Sequence, residues 1–348
     1  MKLISIFCLL ALLLSFATAQ AGHRRVLIIG LDGTTGSQFH YQTLVQKQAP
    51  VFADLMNTGK FTPCLSPMDP KCARAQSGYR TGKDFRWLTG PGWCSVETGV
   101  DNTKHQIKDN SDDALSVFAT TSKIHPTIQK VLISKGMKTA AGGVAAFMTA
   151  KKNGSVHSGS LDYECGADAQ HKPLVKFDDK SSCNLTVRQA GDGSDSNRDA
   201  RLTDFLESQV NDPSIDLVMG VYDQIDAQGH MSGFSSNPHY LQAITTADGQ
   251  AGKLIRAVEN GVSQRHEEWL VIVTSDHGGH NIALWGNHDV VDHDDDQIPF
   301  VIKTFGTSTP LRDLTYPVTH MDVHPTVEAW FGLPLTPGLD GHVQGVAP

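Results

Sequence analysis

The chain has 348 residues, enough to bury a sizeable hydrophobic core as one large domain or as one domain with a substantial insertion. Its hydrophobic content of 39% and charged content of 19% are ordinary for a globular protein. A formal net charge of −8 argues against a nucleic-acid duplex as a partner, because phosphate backbones are bound mainly through Lys and Arg.

The amino end predicts a secretory signal peptide over residues 1–19. It carries Lys2, an apolar run that ends at Phe16, and small residues at 17–19 that are typical of a cleavage site. A buried N-terminal helix is the alternative. The run is too short to span a membrane, and no other stretch approaches the about 18 apolar residues that a span requires. The sequence therefore predicts a secreted protein whose mature domain covers 20–348.

Cleavage would remove Cys8 and leave five cysteines, an odd number that suggests two disulfides and one free thiol in an oxidising compartment. None of the cysteine spacings is a zinc-finger pattern. Sequence proximity favours Cys64 with Cys72 and Cys165 with Cys183, which leaves Cys94 free.

The first predicted strand after the signal peptide runs from Arg25 to Leu31 and ends at Asp32. Its continuous apolar run is typical of a parallel strand that is buried on both faces. An acid at such a strand end is either a helix cap or a metal ligand. A short helix with Pro50 in its first turn follows.

The segment Leu88-Thr89-Gly90-Pro91-Gly92 predicts the start of a second helix, because Pro91 suits a first turn and the glycines do not suit a helix interior. Thr89 would then lie just before the helix, where the helix dipole stabilises an anion such as an alkoxide or a phosphate. The alternative is that Thr89 is only an N-cap.

The middle of the chain predicts a helix over 121–135 and a strand over 137–144. Residues 151–197 are polar and rich in Gly, Ser and Asp, which indicates an irregular insertion over the sheet. The insertion contains two glycosylation acceptor sites, at Asn153 and Asn184, which secretion would make usable. A helix over 199–210 follows.

The third predicted strand, Ile215 to Tyr222, is followed by Asp226 and His230. These residues are four apart, so a helical turn would point both side chains to one face, as chelation of a metal requires. A polar loop with a helix cap is the alternative, and Asp223 competes with Asp226 for the role of ligand.

A helix over 243–262 leads to the fourth predicted strand, Leu270 to Thr274, which ends at Asp276 and His277. In open α/β sheets, ligands collect at the carboxyl ends of strands, so these two side chains lie where chemistry is usually placed. The following loop supplies His288, and a further strand over 298–303 and a helix over 320–331 complete the chain.

Together these elements predict an α/β fold: a three-layer sandwich with a largely parallel central sheet flanked by helices. Mixed Asp and His ligands without thiolates suit zinc, and also manganese or iron. The set is too large for one tetrahedral site, but fits two metals about 4 Å apart, an arrangement that clamps the attacking and leaving oxygens of phosphoryl transfer. Metal coordination would also activate the Thr89 hydroxyl.

In these motifs, and over most of the chain from VLIIGLDG to IPFVI, the sequence resembles the alkaline phosphatase superfamily and, within it, the type I phosphodiesterase/nucleotide pyrophosphatase branch. The resemblance implies a phosphoric ester hydrolase with two divalent metals and a small phosphate-ester substrate. Thr89 would be the nucleophile, bridging towards the second metal and forming a phospho-threonine, and Asn110 would contact the phosphate.

The resemblance also implies the metal ligands. One zinc would bind Asp226, His230 and His288, and the other Asp32, Asp276 and His277. His288 is placed by its spacing from Pro299, with His293 and His320 as competitors.

The sequence departs from that branch at Gly92, where nucleotide pyrophosphatases usually have Asn. A phosphomonoesterase or phosphonate hydrolase that resembles alkaline phosphatase is therefore the alternative within enzymes. Cys94-Ser-Val-Glu-Thr lacks the C-x-P-x-R signature of sulfatases, which argues against a sulfatase. The alternative of another class is a secreted metal-binding protein without turnover; retention of Thr89 beside six ligands argues against it. The sequence predicts no oligomeric state.

Overall fold

The computed structural model describes residues 22–66, 68–75, 87–110, 117, 121, 123–143, 151–152, 155–156, 198–283, 285–288 and 293–347. The predicted signal peptide, both glycosylation sites and the predicted pair of Cys165 and Cys183 lie outside these residues. Of the predicted insertion over 151–197, only two short strands are described.

Helices and strands alternate along much of the chain. The helices are α1 Gly36–His40, which continues into a π-helix at Tyr41–Val45, α2 Pro50–Thr58, α3 Thr89–Thr98, α4 Asn102–His105, α5 Ile128–Ser134, α6 Arg198–Asn211, α7 Gln224–Ser232, α8 Pro238–Arg265, α9 His293–Asp296 and, after a 3₁₀ turn at His320–Asp322, α10 Val323–Trp330. The strands are β1 Arg24–Leu31, β2 Lys60–Phe61, β3 Ala73–Arg74, β4 Thr139–Gly143, β5 Lys151–Lys152, β6 Ser155–Val156, β7 Leu217–Tyr222, β8 Glu268–Thr274, β9 His280–Ile282, β10 Trp285–Asn287, β11 Gln297–Ile298 and β12 Phe300–Phe305.

The central sheet has the strand order β2-β12-β8-β1-β7-β4. Strands β4, β7, β1 and β8 are parallel, whereas β12 runs antiparallel to β8 and β2 antiparallel to β12. The three middle strands stop in register, because Leu31 pairs with Tyr222 and Gly30 pairs with Thr274. The segments that follow β1, β7 and β8 therefore leave the sheet side by side, at the carboxyl ends of these strands.

Side-chain alternation along β1 divides the hydrophobic core into two layers. Leu27 and Ile29 face a cluster built from α2, α6 and α8, and Val26 and Ile28 face a cluster built from α3, α5 and α10. This arrangement confirms the predicted sandwich of a largely parallel sheet between two layers of helices.

Two of the differences from the predicted element boundaries have a clear local cause. The helix expected over 121–135 begins as α5 at Ile128, because the Thr127 side chain accepts a hydrogen bond from the Lys130 amide and so caps it there. The strand expected over 298–303 is divided at Pro299, which has no N–H to donate to a ladder.

The predicted bond between Cys64 and Cys72 is present, and Cys94 is buried and free. Within the described parts of the chain, we find no helix that combines the length and the apolar character needed to cross a bilayer.

Candidate metal centre

Three carboxylates converge from the aligned strand ends. Asp32 follows β1, Asp276 follows β8, and Asp226 lies in the first turn of α7 after β7. All three are buried. The turn after Asp32 contains Gly33 at φ 63°, where an added Cβ would lie 2.4 Å from Asp226 Oδ1. A glycine is required here both for the backbone conformation and for the close approach to Asp226.

Three histidines are fixed around these carboxylates by their Nδ1 atoms. His230 Nδ1 lies 3.1 Å from the carbonyl oxygen of Gly286, and His277 Nδ1 lies 2.7 Å from that of Gly278. His288 Nδ1 makes a short hydrogen bond with the carbonyl oxygen of Trp87. A carbonyl oxygen only accepts, so each Nδ1 carries the proton. In the neutral rings, each Nε2 then holds a lone pair.

The Nε2 atoms of His230 and His288 form a first group with Asp226. They lie 2.9 Å from each other, and His230 Nε2 is 3.3 Å from Asp226 Oδ2. His288 Nε2 is 3.6 Å from Asp226 Oδ1. Two lone pairs facing each other at 2.9 Å repel, and a shared cation would relieve that repulsion.

His277 forms a second group with Asp32 and Asp276. Its Nε2 lies 3.3 Å from Asp276 Oδ2 and 3.6 Å from Asp32 Oδ1. The His277 ring stacks on the His288 ring with centroids 3.9 Å apart, so the two groups are direct neighbours. Among the described residues, the two sets with metal-ligand geometry are Asp226, His277 and His288, and Asp32, Asp276 and His277.

Buried ligand-type atoms without hydrogen-bond partners make both groups suitable for metal ions. Asp226 Oδ1, Asp276 Oδ2 and His277 Nε2 make no hydrogen bond to any described residue. Burial and the negative charge of Asp226 raise the pKa of Asp276 well above its ordinary value, and burial together with His288 lowers the pKa of His277. Burial also opposes ionisation of Asp226, but the neighbouring imidazoles of His230 and His288 outweigh it and lower the pKa of Asp226. Buried polar atoms without partners are unfavourable, and a divalent cation would satisfy them.

Thr89 lies beside the second group. It is the first residue of α3 rather than, as the sequence predicted, the residue just before the helix, and Leu88 occupies the N-cap position, so Thr89 is not the N-cap residue either. Its hydroxyl donates to Asp32 Oδ1 at 3.5 Å. The side-chain oxygen of Asn110, an exposed residue, accepts a hydrogen bond of 2.7 Å from the Gly90 amide. The structure therefore brings Thr89 and Asn110 to the same helix start.

Two of the residues that compete for a ligand role lie outside the two groups. Asp223 precedes α7, and its amide bonds Asp199 Oδ1 at 3.2 Å. His320 lies in the 3₁₀ turn, which packs on α3, and belongs to neither metal-ligand set found among the described residues. The side chain of His293 lies outside the described residues. His288 lies in the first group, beside Asp226 and His230.

Sequence reasoning missed three buried residues that hold the centre in place. Ser275 Oγ lies 2.6 Å from the carbonyl oxygen of Leu31, Trp93 Nε1 donates to Asp32 Oδ2 at 3.0 Å, and the Phe234 ring contacts the rings of His230 and His288 edge-on. A serine beside Asp276 and a tryptophan one turn after Thr89 were the available signals, but neither residue type indicates its partner.

The sequence matches the type I phosphodiesterase/nucleotide pyrophosphatase family over residues 26–299. A search of curated proteins returned no significant match.

Among solved structures, human ectonucleotide pyrophosphatase/phosphodiesterase 5 is 14% identical, with a TM-score of 0.59 over 91% of this chain and 97% of that one. An inactive variant of the murine protein in complex with AMP is 13% identical, with a TM-score of 0.58 over 92% and 97% of the two chains. A 2-O GAG sulfatase is 11% identical, with a TM-score of 0.60 over 92% of this chain and 73% of that one. At such low sequence identity, these matches show a similarity of fold alone.

Proposed function

This chain belongs to the type I phosphodiesterase/nucleotide pyrophosphatase family, and from that premise we propose that it is a secreted phosphodiesterase or pyrophosphatase with two zinc ions and a covalent phospho-threonine at Thr89. Family membership supports the broader assignment as a hydrolase of phosphoric esters. The zinc ions, the threonine intermediate and secretion are the parts that experiment must test.

One observation carries the proposal: the three histidines donate Nδ1 to backbone carbonyls and turn Nε2 towards the buried carboxylates. In metal sites, such outer hydrogen bonds orient the imidazole and fix its tautomer. We assign Asp226, His230 and His288 to one zinc ion and Asp32, Asp276 and His277 to the other. When bound, the ions would supply positive charge that lowers the pKa of the threonine hydroxyl and of water.

The residues of the chain then perform two displacements. The Thr89 hydroxyl loses its proton to solvent and its Oγ1 forms a bond to phosphorus while the bond from phosphorus to the leaving oxygen breaks, and the leaving group takes a proton from solvent. Water next attacks the phospho-threonine, releases the phosphate product and restores the Thr89 hydroxyl. The start of α3 favours the negative charge that develops there. The amide nitrogen of Asn110 remains a donor for a phosphate oxygen, because its oxygen is engaged by Gly90.

Gly92 gives the alternative activities a physical basis. An added Cβ at this position would lie 2.7 Å from the Cβ of Asp276, so the close approach of α3 to the end of β8 excludes a side chain here. No side-chain donor at 92 can therefore contact the substrate. Because this donor is missing, a phosphomonoesterase or a phosphonate hydrolase is the second candidate function.

The test compares the wild type with Thr89→Ala and Thr89→Ser on a monoester and a diester of one chromogenic alcohol. We expect about two zinc ions per chain in all three proteins, no turnover by Thr89→Ala, and partial turnover by Thr89→Ser. Acid quenching during turnover should trap a phosphoryl adduct on the peptide that contains Thr89.

The preferred ester selects between the diesterase and the alternative activities. Turnover by Thr89→Ala would exclude the covalent mechanism. A wild type that holds zinc but hydrolyses neither ester would favour the non-catalytic metal-binding protein.

Secretion has a separate test. The bond between Cys64 and Cys72 supports an oxidising compartment, where disulfides persist. Expression of the full chain in a secreting host should deliver protein to the medium with Gln20 as its first residue. Retention of residues 1–19 would contradict this part of the proposal.

A further inference from the structure

Helix α3 contacts the metal centre at a second point besides Thr89. Trp93 lies one helical turn after Thr89 and is fully buried. Its indole Nε1 donates a hydrogen bond of 3.0 Å to Asp32 Oδ2. The nucleophile proposed above and the donor to a proposed metal ligand are therefore carried by the same turn of one helix.

Strand β1 is shaped to receive this indole ring. Gly30 lies in the last part of β1, two residues before Asp32, which follows the strand. An added Cβ at Gly30 would lie 2.4 Å from Cη2 of Trp93 and 2.9 Å from its Cζ3. The missing side chain at Gly30 leaves the space that the ring fills, and the ring in turn reaches Asp32.

The hydrogen bond gives the two carboxylate oxygens of Asp32 different surroundings. Oδ2 accepts from Trp93, whereas Oδ1 lies 3.5 Å from Thr89 Oγ1 and 3.6 Å from His277 Nε2. A carboxylate held at one oxygen by a rigid buried ring cannot rotate freely. Oδ1 is therefore directed towards the nucleophile and the histidine.

From this geometry we propose that Trp93 is a positioning residue, which orients Asp32 for metal binding and couples that orientation to the position of Thr89. The inference rests on the proposed two-metal function and deepens it. Outer-shell partners of metal ligands commonly change metal affinity or activity by about 10-fold to 100-fold when removed. A merely structural tryptophan would affect stability instead.

The chain offers a matched control at the other end of the sheet. Trp269 is also fully buried, and its indole Nε1 donates to a carboxylate oxygen of Glu267 at 2.9 Å. Trp93→Phe and Trp269→Phe each keep an aromatic ring and remove one N–H that bonds a carboxylate. The two variants differ in whether that carboxylate belongs to the metal centre.

The experiment titrates the metal-stripped wild type and both variants with zinc against a competing chelator, and measures kcat and KM on the better ester. For Trp93→Phe we expect one of the two zinc affinities to fall by about 10-fold or more, with a loss in kcat rather than a rise in KM. Trp269→Phe should keep both affinities. Denaturant unfolding of the metal-free proteins should show comparable losses for the two variants.

A second measurement does not depend on the folding of Trp93→Phe. In protein labelled with 5-fluorotryptophan, the fluorine resonance of Trp93, assigned by eliminating the other four tryptophans, should shift when zinc is added. The Trp269 resonance should stay in place. Gly30→Ala, which crowds the Trp93 ring, should weaken the same zinc affinity.

Zinc affinities in Trp93→Phe equal to those of the wild type, or an unmoved Trp93 resonance, would overturn the inference. An equal loss of affinity in Trp269→Phe would also overturn it, because the effect would then be one of stability. A wild type that binds no zinc would instead refute the proposed function itself.

Discussion

Individual hydrogen bonds set the chemistry of the candidate metal centre at the residue scale. Three imidazoles have their Nδ1 atoms engaged by the backbone carbonyls of Trp87, Gly278 and Gly286, so their Nε2 atoms face the carboxylates. Such a ring is a ready metal ligand in its neutral form, whereas protonation of Nε2 would place a positive charge where a cation is needed.

Ser275 is the polar residue that ties two of the strand ends together. Its Oγ lies 2.6 Å from the Leu31 carbonyl oxygen and 2.7 Å from that of His277, and it accepts from the Thr34 amide at 3.0 Å. For Ser275→Ala we expect zinc affinity or kcat to fall by about 10-fold to 100-fold, as for other outer-shell partners. Zinc titration and steady-state kinetics measure both effects.

Ser95→Ala is the matched control for that prediction. Ser95 is buried and bonds His105 Nε2 at 2.9 Å, outside both metal groups. It should lose stability to a similar extent but keep its zinc affinity. Equal zinc affinities in the two variants would show that Ser275 does not position the centre.

Packing between helices and strand ends holds the centre together at the element scale. Helix α8 reaches the turn after Asp32 through Tyr240, whose hydroxyl donates to the Gly33 carbonyl at 2.8 Å and accepts from the Thr35 amide at 2.9 Å. The same turn approaches Asp226 through Gly33. The helix therefore fixes the spacing between ligands that follow different strands.

Tyr240→Phe tests this link between helix and turn. We expect a loss of zinc affinity together with a loss of about 1 kcal/mol in the free energy of unfolding, the usual contribution of a buried hydrogen bond. Tyr222→Phe removes another buried hydroxyl, which lies 3.0 Å from Thr203 Oγ1, and should lose stability without losing zinc affinity. Indistinguishable zinc titrations of the two variants would contradict the proposed link.

Helix α8 also caps its neighbour α2. Ala49 occupies the N-cap position of α2 and has no capping group, so Asp248 of α8 accepts from the Phe52 amide at 2.7 Å and the Val51 amide at 3.3 Å. Burial raises the pKa of Asp248 to about 6, against the lowering effect of these two amides. The folded protein thus holds this proton more tightly than the unfolded chain, whose carboxyl has the ordinary value of 3.8.

Stability should therefore depend on pH through Asp248. Its contribution is fully present below about pH 4 and is lost as the pH rises through about 6. We expect the stability of the wild type relative to Asp248→Asn to fall by up to about 3 kcal/mol between about pH 4 and pH 7.5. Denaturant unfolding at both pH values measures it. A flat difference for Asp248→Asn would refute the assignment.

The fold and the candidate ligands differed in how far the sequence could predict them. Apolar runs that stop at acids or histidines predicted β1, β7 and β8 and the residues after them, because burial on both faces leaves a plain pattern. Nothing in the run from Phe300 to Phe305 indicates that β12 is antiparallel, since direction depends on the connection rather than on composition. The role of Trp93 was equally hidden, because it depends on a space left by Gly30 in a distant segment.

At the scale of the whole molecule, the buried carboxylates affect the stability of the fold. The chain is already negative overall, with a formal net charge of −8, and it buries Asp32, Asp226 and Asp276 against one another at one edge of the sheet. Clustered carboxylates repel and lose their hydration, so the metal-free protein folds against an unfavourable local term. Any divalent ion that binds there should therefore stabilise the entire fold.

Removal of metal by a chelator tests whether bound ions stabilise the fold. We expect chelator treatment to lower the thermal midpoint, and zinc to restore it progressively, because each site contributes about 2.7 kcal/mol at a free concentration 100-fold above its Kd. The variant Asp276→Asn should be less sensitive to chelator, since it removes a proposed ligand and so binds less zinc. Magnesium should restore less than zinc, because imidazole ligands favour the softer ion. A midpoint unaffected by chelator in protein proved free of metal would mean that the buried carboxylates are stable without a cation, and the proposed centre would lose its physical basis.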